Sequence, residues 1–319
     1  MQYPAIAVVG PTASGKSRLG IELARAFQGE IVGCDALQVY RRMDIGTAKV
    51  TPKEREGVPH HMIDVVDPDR EFSAGDYQRQ ARTAIGEISG RGRLPIVVGG
   101  SGFYLRALID GLFEGPERSE KLRARMRDII RRKGTNALHR LLRRTDPESA
   151  VRIAPNDADR IIRACEIYLV SGKNMSWWHR QRRDALTGYR WLKIGIDMPR
   201  TLLYQRINLR VQRMFENGLL DETKRLLGMY TAICPAFKAI GYRQAAEYLT
   251  ERVTLTQAVE SAQMESRRYA KRQLTWFRAD REVVWLRTGD DVDDTAYSGH
   301  ALNVVRGFIT RQYERNIPC

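Results

Sequence analysis

The sequence predicts an α/β fold, in which a parallel sheet of the phosphate-loop type is flanked by helices and carries an all-helical insertion. Three observations predict this fold. Short apolar segments alternate with helical segments in the first third of the chain, a glycine-rich loop follows the first apolar segment, and strand signals are missing from a strongly basic middle region. We therefore expect a first part of the core at residues 1–114, a helical insertion at 115–190 and a return to the core with C-terminal helices at 191–319.

The first third supplies the strands of the sheet. Four apolar runs have strand length: Ala5–Val9, Glu30–Cys34, Met62–Val66 and Leu94–Val98. The clearest helix between them is Phe72–Ile88, where Ser73 and Asp76 form a capping pattern at its start. Strands alternating with helices favour a parallel sheet whose ligands bind at the carboxyl ends of its strands.

The middle region is helical and cationic. Its expected helices are 118–133, Asn136–Arg143 and Asp157–Val170. Arg123, Arg127 and Arg131 recur every four residues beside an apolar stripe, so one face of the first helix carries positive charge. The return to the core is expected as a strand at Trp191–Asp197, helices at Arg200–Glu216, Leu219–Tyr230 and Thr254–Arg278, a strand at Val283–Arg287, a turn at Asp290–Asp294 and a helix at Leu302–Tyr313.

Residues 10–17 match the phosphate-binding pattern G-x-x-x-x-G-K-[ST] directly after the first strand. The predicted diphosphate-binding residues are Gly10, Pro11, Thr12, Ala13, Ser14, Gly15, Lys16 and Ser17. The glycines let the backbone N–H groups point inward, Lys16 adds a cation, and the Ser17 hydroxyl is a candidate Mg²⁺ ligand. The loop alone does not tell whether the phosphate belongs to a nucleoside triphosphate or to another pyrophosphate.

Two further positions follow predicted strands. Asp35 is a candidate magnesium ligand or general base, and the alternative is a helix N-cap. Gly99–Tyr104 stands where an ordinary nucleotide hydrolase would show its Walker-B aspartate, and this segment has none. We expect Ser101 there to cap the following helix.

The charge indicates a polyanionic partner. The chain has 319 residues, a net charge of +15 and a pI of about 9.9, which favours nucleic acid over a metabolite alone. The expected RNA-binding groups combine cations and aromatic rings: Arg160, Arg163, Lys238, Arg243, Lys271, Arg272 and Arg278 with Tyr242, Trp276 and Phe277.

The cysteines and apolar segments bear on location. The four cysteines have neither metal-ligand spacing nor a disulfide pattern. We see no signal peptide and no apolar run of membrane-spanning length. The expectation is a cytoplasmic protein with no membrane association.

Several motifs, in the same order along the chain, resemble the tRNA dimethylallyltransferases (tRNA isopentenyltransferases). The motifs are the phosphate loop at 10–17, Asp35–Tyr40, Met43–Lys49, Pro59–His61 with Asp67 and Pro68, Gly99–Tyr104, Pro155–Asp157 with Arg160–Glu166, Ile240–Gln244 and Lys271–Trp276. The departures are mild. Ala36 stands where Ser is usual, which removes one possible RNA-contacting hydroxyl.

The resemblance implies an activity and a set of roles. Dimethylallyl diphosphate would fill the loop, and its dimethylallyl group would pass to N6 of the adenosine at tRNA nucleotide 37, in the anticodon stem-loop. Asp35 would be the general base, while Lys16, Ser17 and Mg²⁺ would stabilise the departing diphosphate. The implied partners are tRNA and this diphosphate, with a monomeric enzyme and no obligate protein partner. The implied tRNA-contacting residues are Asp35, Ala36, Leu37, Gln38, Ser101, Arg123, Asp159, Arg160, Ile161, Ile162, Arg163, Lys238, Ala239, Ile240, Gly241, Tyr242, Arg243, Lys271, Arg272, Gln273, Leu274, Thr275, Trp276, Phe277 and Arg278.

Two other functions account for only part of these features. A small-molecule kinase would use the phosphate loop and Asp35, but it leaves the charge and the insertion without a role. A non-catalytic RNA-binding protein would use the charge, but it leaves the phosphate loop without a purpose.

Overall fold

The computed structural model describes residues 2–181, 183–230, 234–289 and 296–314. The chain forms two compact units, one made of Met1–Ile109 with Leu186–Cys319 and the other of Asp110–Ala185. The two boundaries between these units therefore lie about five residues before the expected boundaries of 115 and 190. Gly111 explains why the first crossing is so early. Its φ is +77°, and a Cβ atom there would lie 2.0 Å from the carbonyl oxygen of Asp184, so the outgoing and returning chains are pressed together at a glycine.

The first unit is built on a sheet in which every described pair of neighbouring strands is parallel. The described strands are β1 (Tyr3–Val9), β2 (Gly29–Cys34), β3 (His60–His61), β4 (Leu94–Gly99), β5 (Tyr189–Asp197) and β6 (Val283–Arg287). Their order across the sheet is β3-β2-β4-β1-β5-β6. The chain passes from β1 over β4 to β2, whereas it passes from β4 over β1 to β5, so the direction of crossover reverses between the neighbouring strands β1 and β4. This is the position at which open α/β sheets bind their ligands.

The described helices lie between and after these strands. They are α1 (Lys16–Ala26), α2 (Ala74–Gly90), α3 (Gly102–Asp110), α4 (Glu120–Lys133), α5 (Thr135–Thr145), α6 (Pro147–Arg152), α7 (Ala158–Ser171), α8 (Met175–His179), α9 (Arg200–Glu216), α10 (Leu219–Met229), α11 (Tyr242–Leu249), α12 (Leu255–Arg278) and α13 (Ala296–Glu314), with a 3-10 turn at Pro235–Lys238. None of the helices found among the described residues is long and apolar enough to cross a membrane.

Helices cover both faces of the sheet. On one face, Leu19 and Leu23 of α1 pack with Val305 and Phe308 of α13 against the strands. On the other face, α2 and α3 pack against the strands, and Tyr77 is fully buried there. Because both faces are covered, β2 and β4 are buried along their whole length. Continuous apolar strands of this kind are typical of parallel sheets.

The predicted α/β fold is confirmed, and most elements lie where the sequence places them. Ser73 and Asp76 form the expected capping box at α2. One strand was placed wrongly, because the third strand is His60–His61 and not Met62–Val66. Met62 and Asp64 have φ values of +62° and +56°, which turn the chain out of extended geometry. The last helix begins at Ala296 and not at Leu302. The turn predicted at Asp290–Asp294 lies outside the described residues.

The second unit, Asp110–Ala185, has its own apolar core. Leu142, Ile161 and Cys165 are buried at its centre, and Met126 reaches it from α4. Short helices α6 and α8 were missed by the sequence reasoning, because six and five residues are too few for an apolar period to be recognised.

Candidate active site

The phosphate loop connects β1 to the start of α1. Gly10 and Gly15 have φ values of +153° and +90°, so the loop adopts the glycine-dependent geometry that its sequence predicts. The side chain of Ser14 is fully buried, and its Oγ has no hydrogen-bond partner among the described residues. A buried hydroxyl without a partner costs free energy. An anion in the loop would satisfy it.

Lys16 stands at the mouth of this loop in a site rich in positive charge. Its Nζ donates a hydrogen bond to the carbonyl oxygen of Pro11 at 3.1 Å. Burial first, and then the nearby Arg210 guanidinium, lower the pKa of Lys16 to about 8, although Asp35 opposes this shift. Two cations held this close together, with one carboxylate nearby, form a site suited to a multiply charged anion.

Arg210 is the residue of this site that the sequence reasoning missed. It lies on α9, where its guanidinium donates to the carbonyl oxygen of Thr47 at 3.4 Å. Burial lowers its pKa, while the Asp35 carboxylate raises it. No local motif surrounds Arg210, so no pattern in the sequence marks it. Its place beside Lys16 follows from the return of the chain to the sheet after residue 186.

Asp35 follows β2 and stands directly before a turn, not before a helix, so the N-cap interpretation is wrong. Its Oδ1 accepts hydrogen bonds from the backbone N–H groups of Leu37 at 2.9 Å and Gln38 at 3.4 Å, but no helix begins there. Its second oxygen, Oδ2, has no hydrogen-bond partner in the described part of the chain. The turn therefore orients the carboxylate and leaves one oxygen available to accept a proton.

Ser101 binds the Asp35 turn and does not cap α3 as expected. Its Oγ accepts a hydrogen bond from the backbone N–H of Ala36 at 3.1 Å. The hydroxyl of Tyr269, which was not among the predicted site residues, lies near Ser101 and the Asp35 carboxylate. Burial and the Asp35 carboxylate raise the pKa of Tyr269 to about 12, so this hydroxyl is a neutral donor at physiological pH. Asp35, Ser101 and Tyr269 thus lie in one polar cluster.

The carboxyl-terminal part of α12 holds two loops of the site in place. Gln273 accepts a hydrogen bond from the backbone N–H of Thr12 at 2.9 Å and donates one to the carbonyl oxygen of Gly100 at 2.9 Å. The ring of Trp276 fills the space beside Gly102, where a Cβ atom would lie 2.1 Å from it. Gln273 and Phe277 are buried, whereas Trp276 retains 40% of its surface. Gln273 and Phe277 therefore belong to the interior of the fold, whereas the ring of Trp276 is partly exposed to solvent.

A second loop, residues 36–49, is held in place by hydrogen bonds to its backbone. Glu222 is buried and accepts hydrogen bonds from the backbone N–H groups of Asp44, Ile45 and Gly46 and from the Tyr242 hydroxyl. The Gln38 amide donates to the carbonyl oxygens of Thr47 and Ala48. Tyr242, an implied tRNA contact, is fully buried. Its side chain supports the loop.

Near Tyr242, the implied contacts divide by exposure. Lys238 is exposed, Ala239 is buried, Ile240 is half-buried and Gly241 is buried. Arg243 is half-buried and pairs with Glu247 and Glu265. On α12, Lys271, Arg272, Thr275 and Arg278 are exposed, and Leu274 is half-buried. The exposed cations of this group are thus Lys238 before α11 and Lys271, Arg272 and Arg278 on α12.

Two arginines of the helical unit pair with one buried carboxylate. Glu166 on α7 is fully buried, and it accepts hydrogen bonds from Arg123 at 2.9 Å, Arg163 at 2.7 Å and the backbone N–H of Ser119 at 2.8 Å. Burial alone would raise the pKa of Glu166, but these hydrogen bonds outweigh it and bring the pKa to about 2. Arg123 and Arg163 are therefore oriented by a partner inside the unit.

The other implied contacts of this unit differ in exposure. Ile161 and Ile162 are buried in its core, whereas Asp159 and Arg160 are exposed on the first turn of α7. On α4, Arg127 pairs with Glu120 at 3.0 Å and Arg131 with Asp128 at 3.7 Å, both near the surface. Such exposed pairs are weak and can be exchanged for a phosphate.

Replacing Glu166 with glutamine is expected to destabilise the helical unit by about 3 kcal/mol, because two half-buried guanidinium groups lose the fully buried carboxylate that pairs with them. The native unit should lose the same support in acid, because a carboxylate whose folded pKa is depressed stabilises the fold above its unfolded pKa of 4.5 and stops doing so as the pH falls through about 2. Thermal unfolding of both proteins between pH 7 and pH 2 measures this. Glu120→Gln, at an exposed pair, is the matched control, and an equal effect of both changes would contradict a special role of Glu166.

Comparison with known proteins shows the family. A family model described as IPP transferase matches residues 38–280, which is more than half of the chain. A tRNA dimethylallyltransferase from Koribacter versatilis is 51% identical over 299 residues, covering 94% of this chain and 97% of that protein. The chain belongs to the tRNA dimethylallyltransferase family. This family membership confirms the resemblance seen in the motifs and makes the chain an enzyme of the transferase class.

Solved structures of this family share the fold. A tRNA isopentenylpyrophosphate transferase from Bacillus halodurans is 40% identical with a TM-score of 0.73, and the match covers 98% of this chain and 99% of that one. A eukaryotic dimethylallyltransferase described as acting on tRNA is 30% identical with a TM-score of 0.81, covering 97% and 80%. The family model's match begins after Asp35, so the assignments of Lys16 and Asp35 rest on their own geometry.

Proposed function

We propose that this enzyme transfers the dimethylallyl group of dimethylallyl diphosphate to N6 of the adenosine at tRNA nucleotide 37 and releases diphosphate. The observation that carries this proposal is the arrangement at the phosphate loop. Lys16 belongs to the loop, the Arg210 guanidinium is close enough to lower its pKa, and the oriented Asp35 carboxylate, with one available oxygen, lies near both cations. A diphosphate leaving group needs the two cations, and an amine nucleophile needs the carboxylate.

The phosphate loop fits a diphosphate and a magnesium ion. The orphaned Ser14 hydroxyl, the inward-curled loop and the two cations match the oxygens of a diphosphate. The Ser17 hydroxyl has no hydrogen-bond partner in the described part of the chain, so it is available to bind Mg²⁺. No cluster of three or more potential metal-ligating side chains occurs in the described residues. The diphosphate and water would then supply the other ligands, and the ion would neutralise charge on the leaving group.

The proposed reaction is one substitution at carbon. The N6 lone pair forms a bond to the first carbon of the dimethylallyl group, while the bond from that carbon to the diphosphate oxygen breaks and its electron pair leaves with the diphosphate. Asp35 takes the N6 proton on Oδ2. Lys16 and Arg210 stabilise the negative charge that develops on the departing oxygen.

The RNA must present its base outside the stacked loop. An adenine amine within a stack cannot reach the diphosphate carbon, so the nucleotide is expected to be flipped out. In the first unit, the exposed cations Lys238, Lys271 and Arg272 would hold the phosphates around it. Arg160 on α7 of the helical unit is an exposed cation available to the RNA as well. The exposed ring of Trp276, close to Phe103 with ring centroids 6.5 Å apart, is available for stacking.

Release of diphosphate tests this function. The purified enzyme is incubated with dimethylallyl diphosphate, with an anticodon stem-loop RNA, or with both, and diphosphate is measured over time. We expect release when both substrates are present and little release with either alone. ATP in place of dimethylallyl diphosphate is expected to give weak hydrolysis or none. Rapid ATP turnover without RNA would favour a phosphate-loop kinase or hydrolase.

The lowered pKa of Lys16 predicts a pH dependence of diphosphate binding. Diphosphate binds the protonated amine, and the free enzyme loses this proton as the pH rises through about 8. The affinity should therefore be constant below that pH and fall above it by at most tenfold per pH unit, until the bound amine also deprotonates. Competitive inhibition by inorganic diphosphate from pH 6.5 to 9.5 measures this. Lys16→Arg keeps its charge and is the control, which cancels the ionisation of diphosphate itself, and identical profiles would exclude Lys16 from the site.

A further inference from the structure

A second cavity lies at the same edge of the sheet as the phosphate loop. It has a volume of about 440 Å³ and is lined by residues that follow β5 and β6, by the start of α9 and by one face of α12. None of its lining residues belongs to the phosphate loop. A cavity of this size accepts a ligand of nucleotide dimensions.

The lining of this cavity is strongly cationic. Four of its side chains are Arg200, Lys271, Arg278 and Arg287, and the one carboxylate among its described lining residues is that of Asp197. Asp197 accepts a hydrogen bond from Arg278 at 3.0 Å. Within the described residues, Lys271 and Arg287 have no acidic partner. Among the described residues, the positive charges of this lining therefore outnumber the negative ones.

The start of α9 adds backbone donors. Pro199 is the N-cap residue and forms no side-chain cap, and the first turn has no acidic residue. The first backbone N–H groups of a helix have no partner within it, and the helix dipole favours an anion there. Pro199 and Arg200 both line the cavity, so this uncapped helix start opens into it.

An independent observation comes from Thr288. The residue is 9% exposed, and it lines the cavity directly after β6. The Oγ1 atom is buried and has no hydrogen-bond partner in the described part of the chain. Buried hydroxyl groups are nearly always paired, so this atom needs an acceptor that the described protein atoms do not supply.

We propose that this cavity is a second anion site, which binds the phosphate group of a nucleotide through Arg287, Lys271, the Thr288 hydroxyl and the start of α9. Leu203 and Leu274 give it an apolar wall against which the rest of the nucleotide packs. The nucleotide is either part of the RNA substrate or free in solution. The first source rests on the proposed tRNA-modifying function, and the second does not.

Two probes and two variants test the site. The probes are an anticodon stem-loop RNA and adenosine 5′-monophosphate, and their binding is measured by calorimetry across a salt series. The variants are Arg287→Gln, which removes a cation, and Thr288→Val, which removes the hydroxyl at nearly constant shape. Arg281→Gln is the control, because Arg281 is exposed and does not line the cavity. Loss of the unpaired hydroxyl should leave the melting temperature of Thr288→Val equal or higher, which separates loss of binding from loss of folding.

The outcomes distinguish the two sources. For a phosphate within the RNA, Arg287→Gln should weaken RNA binding about tenfold and lower its log–log salt slope by about 0.7, with no effect on the mononucleotide. For a free nucleotide, both variants should weaken binding of adenosine 5′-monophosphate about tenfold in a Lys16→Ala background. If both variants match the control with both probes, the site does not exist. If the wild-type enzyme binds no RNA, the proposed function fails, and the mononucleotide measurement still decides whether the site exists.

Discussion

Asparagine at position 35 is expected to slow transfer of the dimethylallyl group by about 10²–10⁴-fold, which is the usual contribution of a positioned general base. The substitution keeps the shape of the side chain and the oxygen that accepts from the backbone N–H groups of Leu37 and Gln38. It removes the oxygen that would take the N6 proton. Single-turnover transfer, started with enzyme and RNA already mixed, measures this chemical step.

A Mg²⁺ titration separates the two roles that remain open for Asp35. A magnesium ligand replaced by asparagine still coordinates weakly, so added Mg²⁺ should recover the rate. A general base should show no recovery. RNA binding is measured separately and should remain within a few-fold of the wild-type value. A rate close to that of the wild-type enzyme would remove Asp35 from the mechanism.

Removing the charge at position 16 is expected to give the second large loss of transfer activity. Lys16→Ala takes one of two cations from the leaving group, and a charge-assisted contact contributes roughly 1.5–3 kcal/mol to binding. The loss in rate should be larger, because charge on the diphosphate grows in the transition state. Steady-state kinetics with both substrates measures the rate, and inhibition by inorganic diphosphate measures binding.

Arg210 provides the comparison for this change. If both cations act on the same leaving group, Arg210→Gln should lower the rate as well, and the double variant should lose less than the sum of the two free-energy changes. RNA affinity should hardly change in either single variant. A parallel collapse of RNA binding in Lys16→Ala would show that the residue acts on RNA or on the fold.

The parts of this site that lie within one continuous motif were predictable from the sequence. The phosphate loop depends on φ values that Gly10 and Gly15 adopt readily and on residues that are neighbours in the chain. Asp35 was identified because it follows an apolar strand, and parallel strands bring their carboxyl ends to one edge. Its turn was not predicted, because a helix cap and a free turn share the same residue preferences.

The parts that depend on distant segments were not predictable. Arg210 reaches Lys16 from α9, and Gln273 reaches Thr12 from α12 across 261 positions of sequence. The pairing of Glu166 with Arg123 was not predictable either, because the two residues lie on different helices. Burial of Tyr242 was missed for the same reason, because its partner Glu222 lies on another helix. The sequence motifs thus indicated the position of the candidate site. The side chains that support it are known only from tertiary contacts.

The most direct measurement follows the fate of a labelled dimethylallyl group. Enzyme, Mg²⁺ and isotopically labelled dimethylallyl diphosphate are incubated with an anticodon stem-loop RNA, and the RNA is digested to nucleosides for mass spectrometry. A matched RNA with a different base at nucleotide 37 is the control. We expect one label per RNA, on N6 of the adenosine at nucleotide 37, and none on the control RNA. Label on another nucleoside, or diphosphate release without labelled RNA, would contradict the proposed reaction.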